Sequence, residues 1–391
     1  MTNDTRVVEK EIELLCAGNA IVDVFAHDKA GLARRYGLCE PVQHVEIEKL
    51  KDLLPELGEI TAVSGGGAAN AAKIAALLGA KVGFTGAIGS ANFVGDDNPV
   101  GDGDSVGTDR FGRLFEEDLK STGVKTLLVK KRSPTGICLV LQTGDGTRIA
   151  ASPSASLEFS EEDINEEEVR KAKIVVIDGF MLGRRGLVRR LLALADKHGA
   201  AAAIDMGSAA IAAEEAEEIA SYIASLDAPS SGVAANMTHN VTANIAADAQ
   251  RHSFFLFMNE DEAVSFHNGL DRGRDRPVAD FEQAREFFKS LTKERPSLVT
   301  VVKLGERGAI CFAGGDCFHA GTEAVEPVET TGAGDAFCGA FLTAWARGKP
   351  LPECAALGNK AARIVIGGAG TRVDKNAFRD LAALLEDSAV S

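Results

Sequence analysis

Short apolar runs separated by segments of helical length constrain this 391-residue chain most. Ile174–Ile177, Ala201–Ile204 and Phe254–Met258 are brief, uniformly apolar, and set apart by stretches long enough for helices. Strands buried on both faces and joined by crossover helices build a parallel sheet, so the expected class is α/β. In such a sheet ligands bind at the carboxyl ends of the strands, where Asp205 and Asn259 stand. A second pattern does not alternate in this way. Gly136–Gln142 and Thr147–Ala151 read as a hairpin turned by Gly144-Asp145-Gly146, with Thr126–Val129 as a further strand, and predict a small separate sheet.

The stretch Val325–Gly348 (VEPVETTGAGDAFCGAFLTAWARG) reads as an extended run, a glycine turn and a helix. Phe337, Phe341 and Trp345 recur every four residues and define the helix's buried face. The first free amides then fall around Gly332, Ala333, Gly334 and Asp335, where unpaired N–H groups and the helix dipole attract an anion. A carboxylate in an anion site suits phosphoryl transfer to an alcohol: the amides hold the phosphoryl group and Asp335 takes the hydroxyl proton. The structural alternative is a glycine turn with Asp335 capping a core helix.

Other residues admit two roles. Asp23 lies alone in the apolar strand Ile12–Phe25, itself interrupted at Gly18-Asn19. It is either a strand-end carboxylate held by backbone amides or an acceptor for ligand hydroxyls. Gly65-Gly66-Gly67, followed by Asn70 in an alanine-rich helix, permit either close approach of a ligand or tight helix–sheet packing. Asn259 with Glu262 is either a capping box or a metal-ordering pair. Lys303-Leu-Gly305-Glu-Arg-Gly308 turns one strand into the next. Residues 90–108 and 228–250 read as insertions; in the first, Val106 stands where a calcium ligand is needed, which excludes an EF-hand.

The net charge of −15 speaks against nucleic acid and anionic membrane surfaces as main partners. Seven scattered cysteines without a CxxC pair, and a charged N-terminal stretch without an apolar leader, predict a reduced cytoplasmic protein. The sequence contains no GxxxxGK[ST], no GxGxxG after a strand and no GxSxG, which sets aside P-loop, dinucleotide-binding and nucleophile-elbow chemistry.

Taken in order, the motifs resemble the ribokinase-like, phosphofructokinase-B (PfkB) carbohydrate kinase family, and within it the adenosine kinase-like branch. The resemblance rests on GNAIVD at Gly18–Asp23, GGGAAN at Gly65–Asn70, Asn259–Glu262, VVKLGERGA at Val301–Ala309 and ETTGAGDAF at Glu329–Phe337. It implies a three-layer α/β/α fold over residues 12–385, with a small β lid from about 25–45 and 126–152. It implies an ATP- and Mg²⁺-dependent kinase acting on the primary hydroxyl of a sugar or ribonucleoside, as a monomer or a lid-mediated homodimer. Asp335 would be the base and Gly332, Ala333 and Gly334 the anion hole. Asn19, Asp23, Gly65, Gly66 and Asn70 would bind the acceptor. Lys303, Gly305, Gly308 and Thr331 would lie along the nucleotide, Asn259 and Glu262 would order Mg²⁺ through water, and Arg148 would be a lid arginine near the phosphates. Glu329 stands where the family signature carries Asp, near a monovalent-cation site in many members, which leaves potassium unassigned. The alternative on the same fold is a catalytically silent nucleotide- or sugar-binding regulator.

Overall fold

The computed structural model describes residues 10–28, 30–90, 108–226, 254–270, 280–326, 331–368 and 375–387. Its strands in chain order begin with β1 (Ile12–Ala17), β2 (Ile21–His27), β3 (Val42–His44), β4 (Thr61–Gly65), β5 (Val82–Gly89), β6 (Lys125–Lys131) and β7 (Gly136–Thr143). They continue with β8 (Gly146–Ser152), β9 (Ala172–Asp178), β10 (Ala201–Asp205), β11 (Phe254–Asn259), β12 (Leu298–Lys303), β13 (Ala309–Ala313) and β14 (Asp316–Ala320). The chain divides into two compact units: residues 1–15, 74–82 and 165–391, and residues 16–73 and 83–164.

In the first unit the strands run in the order β14-β13-β12-β11-β10-β9-β1. The strands β9 to β12 are parallel, and β13 and β14 close the edge as antiparallel strands. Strand β11 shows why apolar runs without alternation build this sheet. Phe255 and Phe257 face the helix Ala333–Ala346, with ring centroids 4.9 Å from Trp345 and 5.2 Å from Phe341 respectively. Phe254, on the other face, meets Tyr222 of the helix Ala216–Leu226 at 5.1 Å. Helices therefore cover both faces, as a doubly buried strand requires. The four-residue spacing of Phe337, Phe341 and Trp345 lays that helix along β11 and fixes where its first turn falls.

In the second unit β5 pairs with β6 in parallel, and a separate five-stranded sheet runs β3-β8-β7-β2-β4. The expected small sheet exists, but two strands depart from the sequence reading. Thr126–Val129 belongs to β6 and pairs with β5 instead of with the hairpin: β5 is buried along its whole length, and β6 covers its edge. The run Ile12–Phe25 is two strands, of which β2 lies in the five-stranded sheet between β7 and β4. Between β2 and β3 the chain also forms the short helix Leu32–Arg35, started by Asp28, whose carboxylate accepts from the Leu32 and Ala33 amides at 2.8 and 2.9 Å.

The stretches 91–107 and 227–253, which contain nearly all of both expected insertions, lie outside the described residues, as does Glu329. Ser90 and Thr108 form an antiparallel bridge at the root of the first. Behind it, the buried Asp109 accepts from Gly112 N at 2.6 Å, Thr135 Oγ1 at 2.7 Å and Thr135 N at 2.7 Å, and Thr135 Oγ1 accepts from Gly89 N at 2.8 Å. No helix among the described residues is long and apolar enough to cross a membrane.

Candidate active site

The register of the first unit's sheet brings four polar residues to the carboxyl ends of its parallel strands. Asp178 on β9 pairs with Asp205 on β10, and Asn259 on β11 pairs with Lys303 on β12. The Lys303 ammonium donates to both carboxylate oxygens of Asp205, at 2.8 and 2.9 Å. Burial alone would push the lysine pKa down; the charges of Asp205 and Glu262 reverse this and hold it above the ordinary value.

Gly332 caps the helix Ala333–Ala346 in the left-handed conformation, with φ of 80°. A side chain there would be strained, which is the physical reason for glycine at this turn. Asp335 stands in the first helical turn, and Thr331 immediately precedes the cap. A Cβ on Gly334 would lie 3.1 Å from Lys303 Nζ, so the absence of a side chain is what lets the ammonium come up against the helix start. A cation beside the positive end of a helix is unfavourable unless anions are near. Asp205 and Glu262 supply those anions.

Asn259 and Glu262 form a complete reciprocal box. The Glu262 carboxylate accepts from Asn259 N at 2.8 Å and Asn259 Nδ2 at 2.9 Å, while Asn259 Oδ1 accepts from Glu262 N at 2.8 Å. Burial raises the Glu262 pKa, against the opposing charge of Lys303. Capping is thus one real role of the pair, and a buried carboxylate beside Asp205 and Lys303 is the other feature on view. Among the described residues no three His, Cys, Asp or Glu side chains gather as a metal site. The carboxylates of Glu262 and Asp205 are a donor set that fits Mg²⁺ bound mainly through water and substrate phosphates with one or two protein groups, which is how this ion usually binds.

The turn after β12 uses Gly305 at φ 61° and Gly308 at φ 87°. A Cβ on Gly308 would lie 2.1 Å from Ala320 O, so this glycine allows β14 to close on the turn; one on Gly305 would meet nothing. Beside the turn lies a groove of about 480 Å³ lined by Leu304, Arg307, Ile310, His319 and Thr322.

The second unit carries its own cluster. Asp23 on β2 pairs with Cys138 on β7 and Val63 on β4. A Cβ on Gly65 would lie 2.1 Å from Asp23 Oδ2, and one on Gly66 (φ 89°) would lie 2.6 Å from Asn19 O. The glycines thus bring the start of the helix Gly67–Leu77, with Asn70 in its first turn, against Asp23 and Asn19. Burial pushes the Asp23 carboxyl up to about 6, opposed by the charge of Lys73 and a hydrogen bond from the Cys138 thiol. Burial and the neighbouring Asp23 push that thiol up to about 12.

Arg148 is not gathered into this cluster. Cys138 pairs with Ala151, three residues from Arg148, so strand alternation puts Arg148 on the sheet face opposite Asp23. Its guanidinium is bound to Asp145 of the hairpin at 3.0 Å. Sequence reasoning passed over two charged groups, Lys73 and Asp178. Lys73 is the lone charge in GAANAAKIAAL, a signal that was available; nothing local marks Asp178, whose place follows only from strand register.

A family model described as pfkB family carbohydrate kinase matches residues 104–377. The chain belongs to the pfkB family of carbohydrate kinases. It is a phosphotransferase of the class that uses an alcohol group as acceptor. Among curated relatives, an adenosine kinase of Schizophyllum commune is 26% identical over 373 residues, covering 90% of this chain and 94% of that protein. A 5-dehydro-2-deoxygluconokinase of Geobacillus thermodenitrificans (strain NG80-2) is 26% identical over 330 residues, covering 80% and 81%. The solved structure of adenosine kinase from Sinorhizobium meliloti matches at a TM-score of 0.69 and 22% identity over 97% of this chain and 99% of that one. This pfkB-family chain therefore has the ribokinase-like α/β fold, with a mainly parallel sheet and a smaller second sheet.

Proposed function

We propose that this kinase transfers the γ-phosphoryl group of ATP to the primary hydroxyl of a nucleoside or sugar, with Asp335 as base. The observation that carries the reading is the approach of Lys303 to Gly334: a helix start without a large apolar side chain, an ammonium against it, and a carboxylate in the same turn. The Gly332–Gly334 amides and Lys303 would hold the phosphoryl oxygens, where charge builds up as the bond to ADP loosens. The acceptor oxygen forms its bond to phosphorus, the bond from phosphorus to the ADP oxygen breaks, and the hydroxyl proton passes to Asp335. Mg²⁺, when bound, neutralises charge on the phosphates; Asn259 and Glu262 would orient its water ligands, beside Asp205. The groove lined by Leu304, Arg307 and Ile310, beside the turn that holds Gly305 and Gly308, would take the nucleotide, with Thr331 at its phosphate end.

The acceptor would bind on the second unit, to Asp23, Asn70, Asn19 and the amides of Gly65 and Gly66. Half-buried apolar residues surround Asp23 on one face of that sheet: Val63 beside it, then Phe25, Val140 and Ile149 in register. Phe25 and Val140 border a depression of about 400 Å³ that also includes His27, Glu59, Thr61 and Gln142. Such a surface favours an acceptor that carries a flat, weakly polar ring beside its hydroxyls, a nucleoside over an acidic sugar. ADP release from MgATP across a panel of nucleosides, hexoses and keto-sugar acids tests both levels. Turnover with no alcohol acceptor would end the kinase reading; turnover with sugar acids alone would end the nucleoside preference.

A further inference from the structure

Lys73 is the only charged residue in the helix Gly67–Leu77, and only 7% of it is exposed. Burying an ammonium is costly unless acceptors and opposite charge surround it, and an apolar residue often packs as well or better. Its Nζ donates to Ser64 O and Ser64 Oγ, both at 2.8 Å, and lies 3.6 Å from Asp118 Oδ2 on the helix Arg110–Ser121. Ser64 Oγ donates in turn to Asp118, and Ser64 N reaches the same oxygen at 3.3 Å. Ser64 sits between Val63, the register partner of Asp23, and Gly65, against which the Asp23 carboxylate is packed. The ammonium is thus fastened to the strand beside Asp23, and its field falls on that carboxylate.

We propose that Lys73 is a positioning residue for the acceptor: anchored by Ser64, it holds Asp23 in the ionised form that accepts hydrogen bonds from substrate hydroxyls. The inference rests on the assignment of Asp23 to the acceptor. Burial works against ionisation of Asp23, and Lys73 is the main influence in its favour, ahead of the Cys138 thiol. Among the described residues, the titratable groups around Asp23 are Lys73 itself, Cys138 on β7, Asp118 behind Lys73, and His27 and His44 on the same sheet face. Asp118 draws on the same ammonium, so it weakens the pull of Lys73 on Asp23.

Opposite shifts follow for two variants of the full chain, read from the pH dependence of acceptor kcat/KM between pH 5 and 8.5. Lys73→Met should move the acidic limb upward by about one pH unit, which raises the acceptor KM about twofold at pH 7 and close to tenfold at pH 5, while the ATP KM stays within about twofold. Lys73→Arg should recover part of the loss. Asp118→Asn should move the limb downward. An unshifted limb in Lys73→Met, or equal loss for ATP and acceptor together with a lower Tm, would overturn the inference. If Lys73→Met does not fold, an unshifted limb in Asp118→Asn overturns it instead. Asp23→Asn separates the two levels. If it keeps the wild-type acceptor KM, the acceptor assignment itself has failed; if it loses it while Lys73→Met behaves as wild type, only the role of Lys73 has.

Discussion

Lys303 and Asp205 form an ion pair in which one ammonium serves both carboxylate oxygens, at 2.8 and 2.9 Å, although strand β11 separates their strands. The pair keeps a cation at the helix start without leaving it unbalanced. Lys303→Met removes the cation and leaves the half-buried carboxylate of Asp205 without it. Loss of one partner of a buried charged hydrogen bond costs about 1–3 kcal/mol, so a lower Tm is expected with the loss of phosphate binding. Thermal unfolding and the ATP KM would be measured together. A variant with unchanged ATP KM and kcat would take Lys303 out of the phosphate site.

Asp335→Asn should bind ATP nearly as wild type but turn over roughly 10²–10⁴ times more slowly, the usual loss for a general base. Titration calorimetry with ATP and initial rates with the best acceptor check the two halves. A folded variant at near-wild-type rate would exclude Asp335 as the base.

Gly65→Ala places a methyl group 2.1 Å from Asp23 Oδ2, so the carboxylate has to move. The expected result is a raised acceptor KM, by about tenfold or more, with the ATP KM little changed, since losing one hydrogen bond to a charged group is worth about 1.5–3 kcal/mol. Gly183→Ala, at an exposed position without positive φ where a Cβ meets nothing, is the control for a mere glycine-to-alanine effect. Equal losses in both variants would count against Asp23 as the acceptor's partner.

Asp23 also gives a pH signature in the unliganded protein. Its carboxyl is raised by burial to about 6 in the fold, above its ordinary value of 3.8. A raised acid favours the folded state when protonated. Its contribution is complete below the unfolded value and is lost as pH rises through about 6. Asp23→Asn should therefore gain stability relative to wild type between pH 4 and pH 7.5, by on the order of 1–3 kcal/mol. Denaturant unfolding at the two pH values checks this; a constant difference would mean that Asp23 titrates normally.

Much of this was legible because local chemistry dictates it. The ETTGAGDAF run announces its turn and helix through a glycine that must adopt positive φ and aromatics spaced four apart. Asn259 and Glu262 announce their box by spacing alone. What the sequence hides is pairing. Nothing in Thr126–Val129 says that its neighbour is β5, and nothing near Arg148 says that Leu141 opposite it is a core residue on the far face from Asp23. Side-chain faces follow from register, and register follows from contacts distant in sequence. The same limit kept Lys303 apart from Asp205: 98 residues separate them, and only the order of the strands unites them.

The Ser90–Thr108 bridge carries a further consequence. Two ends already clasped, with Asp109 and Thr135 locked behind them, make the cost of the intervening chain depend only weakly on how long it is. The strands on either side are closed by their own pairing, β5 to β6 and Ser90 to Thr108, so the fold has in effect a socket there. A fluorescent or affinity module spliced between Ser90 and Thr108 would use the attachment point that the architecture already provides.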